Sequence, residues 1–290
     1  MGILGSLYPL LKLTHPITIA DIGANPIDGA PPYAPLMKTG HTRIIGFEPQ
    51  ADALAQLNKM KGPNDLYLPH AVGDGKRHTL YHTLAPGMTS LLKPDAHILS
   101  MFHNFPRWGT VQGTEEIDTV RFDDIPGTEH IDYLKLDVQG GELLVLEHAV
   151  NRLKQVVVVQ TEVEFLPMYE NQPLFSDIDQ FMRRQGFILH RMEPIQRRTL
   201  SPTPPFIGLN QWLWADAIYY RDLSKLDAMT NEQLLSLAII AHDCYDSYDV
   251  VMYLLIEYDK RCGTPYSTQY RNVLSHTEGQ ISYERGSKQA

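Results

Sequence analysis

Two short apolar runs near the start of the chain, each carrying an acidic residue at its end, limit the possible folds most strongly. In residues 18–25, Asp21 comes just before a turn that contains Gly23. In residues 43–49, Glu48 follows the last apolar residue. A strand, a glycine turn and a second strand that ends in an acid are typical of a βαβ unit that holds a nucleoside-containing cofactor. The sequence therefore predicts an α/β fold built around such a unit.

Strand-like and helix-like stretches continue to alternate beyond this unit, which indicates a doubly wound sheet. The valine run 156–159 is typical of a strand that is buried on both faces of a parallel sheet. A capping box at Ser176 predicts another helix, which Gly186 ends. The predicted strands are residues 17–22, 43–47, 65–72, 133–137 and 156–163, and the predicted helices include residues 51–60 and 142–153.

Residues 78–125 interrupt this rhythm. Residues 79–81 and 119–122 predict two further strands, separated by a segment, 85–113, that is rich in aromatic residues and histidines. Such a segment is either a lid or binding loop, or an ordinary surface insertion, and the sequence leaves both open. His78 and His82 lie in the first of these strands without an evident third ligand, which argues against a zinc site.

The alternation stops after Asp222. A capping box at Thr230 and a second helix at about residues 249–261 predict a helical appendage. We therefore predict a main domain, residues 1–222, with the insertion at 78–125, and a helical extension, residues 223–290. The extension is expected to pack on the main domain or on a second copy of the chain.

Composition excludes several classes of protein. The formal charge of −9 argues against a nucleic-acid binder, since such proteins usually carry a basic surface. Cys244 and Cys262 are the only cysteines, which excludes a disulfide scaffold and favours a reducing compartment. No apolar run reaches the roughly 20 residues that span a bilayer, and residues 1–13 lack the features of a signal peptide. We expect a cytoplasmic protein without a membrane span.

Two acidic residues are candidates for catalysis. Residues 131–142 form an apolar strand that delivers Asp137 to its end, before two glycines, and Glu162 ends the valine-rich strand. In open α/β sheets ligands bind outside these carboxyl ends, so both acids could face one cleft as a base, a metal ligand or a substrate clamp. The alternative is structural: Asp137 caps a helix and Glu162 pairs with an arginine.

Asn25 distinguishes between two cofactor classes. A dinucleotide fold needs a second glycine at this position, where the backbone makes room for the pyrophosphate. Asn25 stands there, and the next glycine is Gly29. The sequence therefore disfavours a nicotinamide-dependent oxidoreductase, although that alternative shares the same strand, turn and acid.

Several motifs, in this order, resemble those of the FkbM family of S-adenosylmethionine-dependent methyltransferases. The similarity covers about residues 17–221. The motifs are residues 21–25 (DIGAN), 47–49 (FEP), 71–74 (AVGD), 90–92 (SLL) and 134–142 (LKLDVQGGE), followed by Glu162, residues 168–170, Gly186-Phe187 and a last strand at residues 214–219.

The resemblance implies a Rossmann-like class I methyltransferase sheet of seven strands, mostly parallel with an antiparallel last strand, followed here by the C-terminal helical extension. It implies methyl transfer to a hydroxyl oxygen, on a sugar, a glycan or another small acceptor. By this resemblance the methionine part of the cofactor would contact the turn, namely Asp21, Gly23, Ala24 and Asn25. The ribose would contact Glu48 and Pro49. The adenine would lie beside Ala71, Val72 and Asp74. We also expect Pro49 to be the first residue of the next helix.

For the reaction, Asp137 is the first candidate for a general base, Glu162 the second and His103 in the 85–113 segment the third. Two carboxylates are compatible with a divalent metal but do not require one. The residues 26–29 enlarge the turn relative to the family pattern, and this motivates one more alternative, a degenerate methyltransferase domain that only binds ligands. A homo-oligomer formed through the C-terminal helices is also open.

Overall fold

The computed structural model describes residues 5–25, 29–205, 207–208 and 211–275; the enlarged turn at residues 26–28 and the polar tail lie outside this part of the chain. The strands in this part are β1 (Ile17–Ile22), β2 (Thr42–Phe47), β3 (Leu66–Leu68), β4 (Ala71–Gly73), β5 (Arg77–Thr83), β6 (Val111–Arg121), β7 (Tyr133–Leu136), β8 (Val158–Glu164), β9 (Phe187–Arg198) and β10 (Gln211–Arg221). The α-helices are α1 (Tyr8–Leu11), α2 (Ala34–Met37), α3 (Ala51–Met60), α4 (Ala96–Leu99), α5 (Phe105–Trp108), α6 (Glu142–Glu147), α7 (Val150–Leu153), α8 (Phe175–Arg184), α9 (Asn231–Tyr245) and α10 (Tyr248–Cys262).

Seven strands form the main sheet, in the order β3-β2-β1-β7-β8-β10-β9. β1 and β8 both run parallel to β7, so Ala20 and Val159 lie on either side of Leu134. β10 lies antiparallel to both β8 and β9. This arrangement confirms the predicted Rossmann-like class I methyltransferase sheet, and the C-terminal helices that were expected beside it are present. The parallel strands place their carboxyl ends at one edge, where α/β proteins bind ligands.

The predicted strand 65–72 is wrong as a single element. It divides into β3, at the edge of the main sheet, and β4, which belongs to a second sheet of order β4-β6-β5. Pro69 lies between the two, and because proline has no N–H to donate it does not continue a ladder. The two strands predicted at residues 79–81 and 119–122 are confirmed within β5 and β6, except that Phe122 already begins a short 3-10 turn.

Two predicted helices also differ in their bounds. The predicted helix 142–153 is divided into α6 and α7, with His148 ending the first. The helix expected to open at Ser176 begins at Phe175, because Asp177 accepts a hydrogen bond from the N–H of Leu174 at 2.9 Å. The prediction placed this cap two residues too late.

The apolar core follows from the strand sequences. The four valines 156–159 are completely buried, as expected for a strand covered on both faces. Of these, Val156 and Val159 join buried side chains of β1 and β7 and three residues of α8, namely Ile178, Phe181 and Met182. Burial of these side chains fixes the strands whose ends carry the candidate site.

The described chain divides into two compact units, one of residues 18–25 and 43–222 and one of residues 5–17, 29–42 and 223–275. The second unit contains the predicted C-terminal helices, and the capping box at Thr230 is confirmed, since its Oγ1 accepts from the N–H of Gln233 at 3.1 Å. Within this unit Asp243 accepts hydrogen bonds from Ser6 Oγ at 2.5 Å and from the Leu7 N–H at 2.9 Å. No helix among the described residues is both long and apolar enough to cross a membrane.

Candidate active site

The glycine turn after β1 is held against the ends of two other strands. The N–H groups of Gly23 and Ala24 both donate to the Phe47 carbonyl, each at 3.1 Å. Gly23 has a φ of +83°, and a β-carbon there would overlap the Asp137 carbonyl oxygen. Only glycine fits this position, because any side chain would push β1 away from β7. The three motifs that were predicted to form one site therefore come together.

Lys135 neutralises the acids beside this turn. Its Nζ lies 3.3 Å from Asp21 Oδ1 and 3.6 Å from Asp137 Oδ2. Burial alone would lower the pKa of Lys135, but attraction to Asp21 and Asp137 outweighs it and holds the pKa above its ordinary value. The lysine is therefore a fixed positive charge between two carboxylates.

Glu48 lies at the end of β2 and is only 3% exposed. Its Oε1 accepts a hydrogen bond from the N–H of Gln50 at 2.7 Å, which orients the carboxylate at the strand end. Burial raises the pKa of Glu48, although this hydrogen bond opposes the shift. Pro49 was expected at the first helical position, and that prediction is wrong: α3 begins at Ala51 with Gln50 as its N-cap, so Pro49 belongs to the connecting turn.

The third group of predicted cofactor residues lies on and after β4. Ala71 and Val72 pair with β6, and the carboxylate of Asp74 accepts from His78 Nε2 at 2.7 Å and from the Lys76 N–H at 3.0 Å. Burial would raise the pKa of Asp74, but these hydrogen bonds outweigh it and hold the pKa far below its ordinary range. Asp74 thus holds the turn into β5, and its place beside an adenine stays a prediction.

The histidine pair of β5 is divided between two carboxylates. His78 bonds to Asp74, whereas His82 Nε2 lies 3.2 Å from Glu115. In the part of the chain that the structure describes, no group of three or more acidic, histidine or cysteine side chains is arranged to hold a metal ion.

Gln139 joins the two acids predicted to be catalytic. Its Nε2 donates to Asp137 Oδ1 at 2.9 Å and to Glu162 Oε2 at 3.2 Å. On the other side, the Tyr169 hydroxyl donates to Gln139 Oε1 at 3.5 Å. Donor and acceptor ends of the amide therefore both match their neighbours, and the structure brings Asp137 and Glu162 into one site.

The backbone of Gln139 is held in an unusual conformation. Its φ is +56°, a left-handed value that a residue other than glycine seldom adopts. The hydroxyl of Ser90, itself 2% exposed, donates to the Gln139 carbonyl at 2.6 Å. Such backbone strain persists only where surrounding contacts fix it, and it often marks a functional site.

Three glutamates near this amide lack a positive partner in the described structure. Burial, together with the charges of Asp137 and Glu164, raises the pKa of Glu162 well above its ordinary value. Glu164 is 1% exposed, and neither of its oxygens is hydrogen-bonded within the described residues. Burial raises its pKa as well, and raises the pKa of Glu142 to about 7 even though Glu142 Oε1 accepts from the Val138 N–H at 2.8 Å.

His103 is placed differently from the two carboxylates. Its Nε2 lies 2.7 Å from the backbone carbonyl of Thr203, to which it donates. The helices α4 and α5 of the same segment pack their apolar side chains against Met168, Tyr169 and Leu213. The segment thus covers the region around Tyr169, and a catalytic role of His103 stays a prediction.

Sequence reasoning missed four residues of this site: Ser90, Lys135, Gln139 and Glu164. The sequence could have indicated Lys135, because it is a single charge inside an otherwise apolar strand. It could have indicated Glu164 too, because Glu164 follows Glu162 at the period of two that puts strand residues on the same face. The roles of Ser90 and Gln139 depend on the left-handed backbone at residue 139, which the sequence does not reveal.

The model of the Methyltransferase FkbM domain matches residues 21–189, more than half of the chain. The chain belongs to the FkbM methyltransferase family. It is therefore an S-adenosylmethionine-dependent methyltransferase, as the resemblance predicted. No curated protein matches the chain.

Solved structures similar to this FkbM methyltransferase include magnesium protoporphyrin IX methyltransferase (ChlM) from Synechocystis PCC 6803 with bound SAM, at a TM-score of 0.37 and 9% identity over 73% of this chain and 76% of that chain. A putative S-adenosylmethionine-dependent methyltransferase from Listeria monocytogenes has a TM-score of 0.37 and 8% identity over 75% and 98% of the two chains. Precorrin-6y C5,15-methyltransferase from Geobacter metallireducens GS-15 has a TM-score of 0.34 and 12% identity over 73% and 86%.

The residues of the FkbM domain fit S-adenosylmethionine. A β-carbon at Gly23 would fill the turn, so the backbone can approach a ligand closely there. Glu48 presents a buried carboxylate at the next strand end, where an acid can accept hydrogen bonds from ribose hydroxyls.

Proposed function

We propose that this FkbM methyltransferase transfers the methyl group to a hydroxyl oxygen of a sugar, a glycan or another small acceptor. The observation that carries the proposal is the Gln139 amide, which holds the carboxylates of Asp137 and Glu162 together at the ends of β7 and β8. An alcohol is a weak nucleophile, and a carboxylate placed to take its proton is the catalytic group it needs.

The turn of Asp21, Gly23, Ala24 and Asn25 would hold the methionine part of the cofactor. Glu48 and Pro49 would contact the ribose, and Ala71, Val72 and Asp74 would border the adenine. When bound, S-adenosylmethionine supplies an electrophilic methyl group on a positively charged sulfur. The chain itself has to orient the acceptor oxygen in line with that group and to exclude water, which provides a large part of the rate.

Asp137 is the proposed base, and Glu162 is the second candidate. The carboxylate would take the proton of the acceptor O–H as that oxygen is methylated, so that the product is a neutral ether. Gln139 keeps the two acids at a fixed spacing during this step. Because the pKa of Glu162 is raised, that carboxyl group can hold the proton before it is released to solvent.

Two measurements test this function. Isothermal titration should show micromolar binding of S-adenosylmethionine and S-adenosylhomocysteine and no binding of NAD. Transfer of labelled methyl groups to a panel of sugars and glycans should yield a methyl ether, which the mass and the base stability of the product identify.

Asp137→Asn should lower kcat on the order of a hundredfold while S-adenosylhomocysteine binds as before. Asp118→Asn, an exposed carboxylate paired with Arg77, is the matched control and should leave kcat unchanged. A product methylated on carbon or nitrogen would contradict the hydroxyl acceptor. Binding without any transfer would favour the degenerate binding module instead.

The boundary at residue 222, association through the C-terminal helices and a cytoplasmic location are part of the same proposal. The mass of the full chain in solution tests the association, and a strictly monomeric chain would remove it.

A further inference from the structure

A cavity lies where β9 ends and β10 begins, and none of the residues that line it is assigned above to the cofactor or the base. Its volume is about 440 Å³, and we name it the Arg198 cavity. The residues that define it here are Arg198, Thr199, Leu200, Thr203, Ile207 and Gln211.

Arg198 is a cation without a carboxylate partner among the described residues. Its Nη1 donates to the Arg197 carbonyl at 2.8 Å and to Gln196 Oε1 at 3.5 Å. Its guanidinium carbon lies 5.1 Å from the centre of the Trp214 ring and 6.0 Å from that of Phe105. The aromatic rings hold the guanidinium in place and leave its remaining N–H groups for a ligand.

The guanidinium of Arg198 is partly buried. Burial lowers the pKa of Arg198, because it disfavours the charged form. A guanidinium in such a place binds phosphate or carboxylate groups through two parallel hydrogen bonds.

Two of the other lining residues are apolar. Leu200 is 42% exposed and Ile207 is 60% exposed, so both present hydrocarbon surface to a ligand. The loop is held by Thr199, whose Oγ1 donates to the Ile207 carbonyl at 2.9 Å, and by the bond from His103 to Thr203. The cavity therefore combines one cation with two exposed apolar side chains.

The strand register connects this cavity to the active site. Gln211 lies opposite Arg198, Trp214 opposite Glu164, and Asp216 opposite Glu162. Gln211 and Asp216 are five positions apart on β10, which corresponds to roughly 17 Å at about 3.3 Å per residue. An acceptor that reached both places would have to be at least this long.

We propose that the Arg198 cavity binds the anionic end of the acceptor, a phosphate or carboxylate group attached to an apolar chain. The hydroxyl group that is methylated lies at the other end of this acceptor, at Asp137 and Glu162. This inference rests on the proposed function for the identity of the ligand as acceptor, but the binding that it predicts can be measured without methyl transfer.

Binding of dodecyl phosphate to the full chain, followed by tryptophan fluorescence below its micellar concentration, tests the proposal. The chain has three tryptophans, and the structure places two of them, Trp214 and Trp108, around Phe105. The neutral dodecyl maltoside should bind at least tenfold more weakly, which is the expected worth of one charge-assisted contact. Inorganic phosphate alone should compete only weakly, and dodecanoate shows which head group is preferred.

Arg198→Gln should weaken the binding of dodecyl phosphate at least tenfold and leave the binding of dodecyl maltoside unchanged. Arg198→Lys keeps the positive charge, so its loss of affinity for dodecyl phosphate should be smaller. The matched control is Arg197→Gln, one residue away on the same strand, where the guanidinium stacks on the exposed Trp212 ring at 5.8 Å and does not line the cavity. Arg197→Gln should change the affinity for dodecyl phosphate by less than about threefold, which is less than the contribution of one hydrogen bond.

Equal losses in Arg197→Gln and Arg198→Gln, or equal affinity for the phosphate and the maltoside, would overturn the inference. If inorganic phosphate competed as well as dodecyl phosphate, the proposed contact with an apolar chain would be wrong. S-adenosylhomocysteine titrated into the parent chain separates this failure from that of the proposed function. A parent chain that binds S-adenosylhomocysteine but not dodecyl phosphate would remove the Arg198 cavity alone, whereas a parent chain that does not bind S-adenosylhomocysteine would remove the proposed cofactor site.

Discussion

The acids on the two sides of the candidate active site differ in whether a cation lies beside them. On the β1 side, Asp21 and Asp137 share the ammonium group of Lys135, whose Nζ lies within 3.6 Å of an oxygen of each. On the β8 side, Glu162 and Glu164 have no such cation within the described residues, and burial raises the pKa of each. A single strand, β7, separates the two sides.

The difference shows how one sheet edge can serve two purposes. Paired charges keep a fixed geometry, which would suit the proposed binding of the cofactor. On the other side, burial favours the protonated forms of Glu162 and Glu164, so either could hold a proton during the proposed reaction. Gln139 lies at the border, since its amide contacts one acid from each side.

The largest effect is expected from removing the shared cation. Lys135→Met leaves Asp21 and Asp137 facing each other in a partly buried site, and should lower the free energy of unfolding by about 3–5 kcal/mol. Urea denaturation measures it. The control is Lys93→Met, whose ammonium pairs with Glu170 on the surface and whose loss should not move the midpoint. Equal midpoints for both variants would mean that Lys135 does not stabilise this side.

Gln139→Leu tests the amide that bridges Asp137 and Glu162. Without the amide the two carboxylates repel each other, so kcat should fall by roughly ten- to a hundredfold. A hydrogen bond to an ionised carboxylate lowers its pKa, so the acidic limb of the pH profile of kcat should move to higher pH in this variant. Unaltered binding of S-adenosylhomocysteine is the control, and an unchanged profile would argue against the bridging role.

Glu48→Ala tests the proposed cofactor site without changing the carboxylates of Asp137 and Glu162. The loss of one buried carboxylate should weaken S-adenosylhomocysteine at least tenfold in isothermal titration. Once the cofactor is saturating, kcat should stay within about threefold of the parent, because Glu48 does not contact the reacting oxygen. Unchanged affinity would remove Glu48 from the cofactor site.

The smallest effect concerns Glu164 and depends on pH. Its folded-state pKa lies above the unfolded value, so the unfolded chain releases this proton first as pH rises, and the folded state loses stability above about pH 4.3. Glu164→Gln removes that loss and should be about 1 kcal/mol more stable than the parent at pH 8, with no difference near pH 4. Chemical denaturation at both pH values measures it, with the exposed Glu170→Gln as control. A variant less stable at pH 8 would show that the ionised carboxylate is needed.

Much of this arrangement could be predicted from local sequence. The glycine turn, the acid after β2 and the acid after β7 are close to their strands in the chain, and strand direction alone brings them to one edge. The pKa contrast could not be predicted, because it depends on which side chains share a face across β7, β8 and β10. The bonds from Ser6 and Leu7 to Asp243 span more than 230 residues and leave no local signal.

The bond from Ser90 to Gln139 links the second sheet to the residue that bridges Asp137 and Glu162. Ser90 is itself tied to β5, since its carbonyl accepts from the Tyr81 N–H at 2.8 Å. A continuous series of hydrogen bonds thus runs from a strand without any reacting group, through the left-handed turn, to the amide between the two carboxylates. Under the proposed mechanism, a displacement of β5 would act on that turn and on the spacing of the two acids.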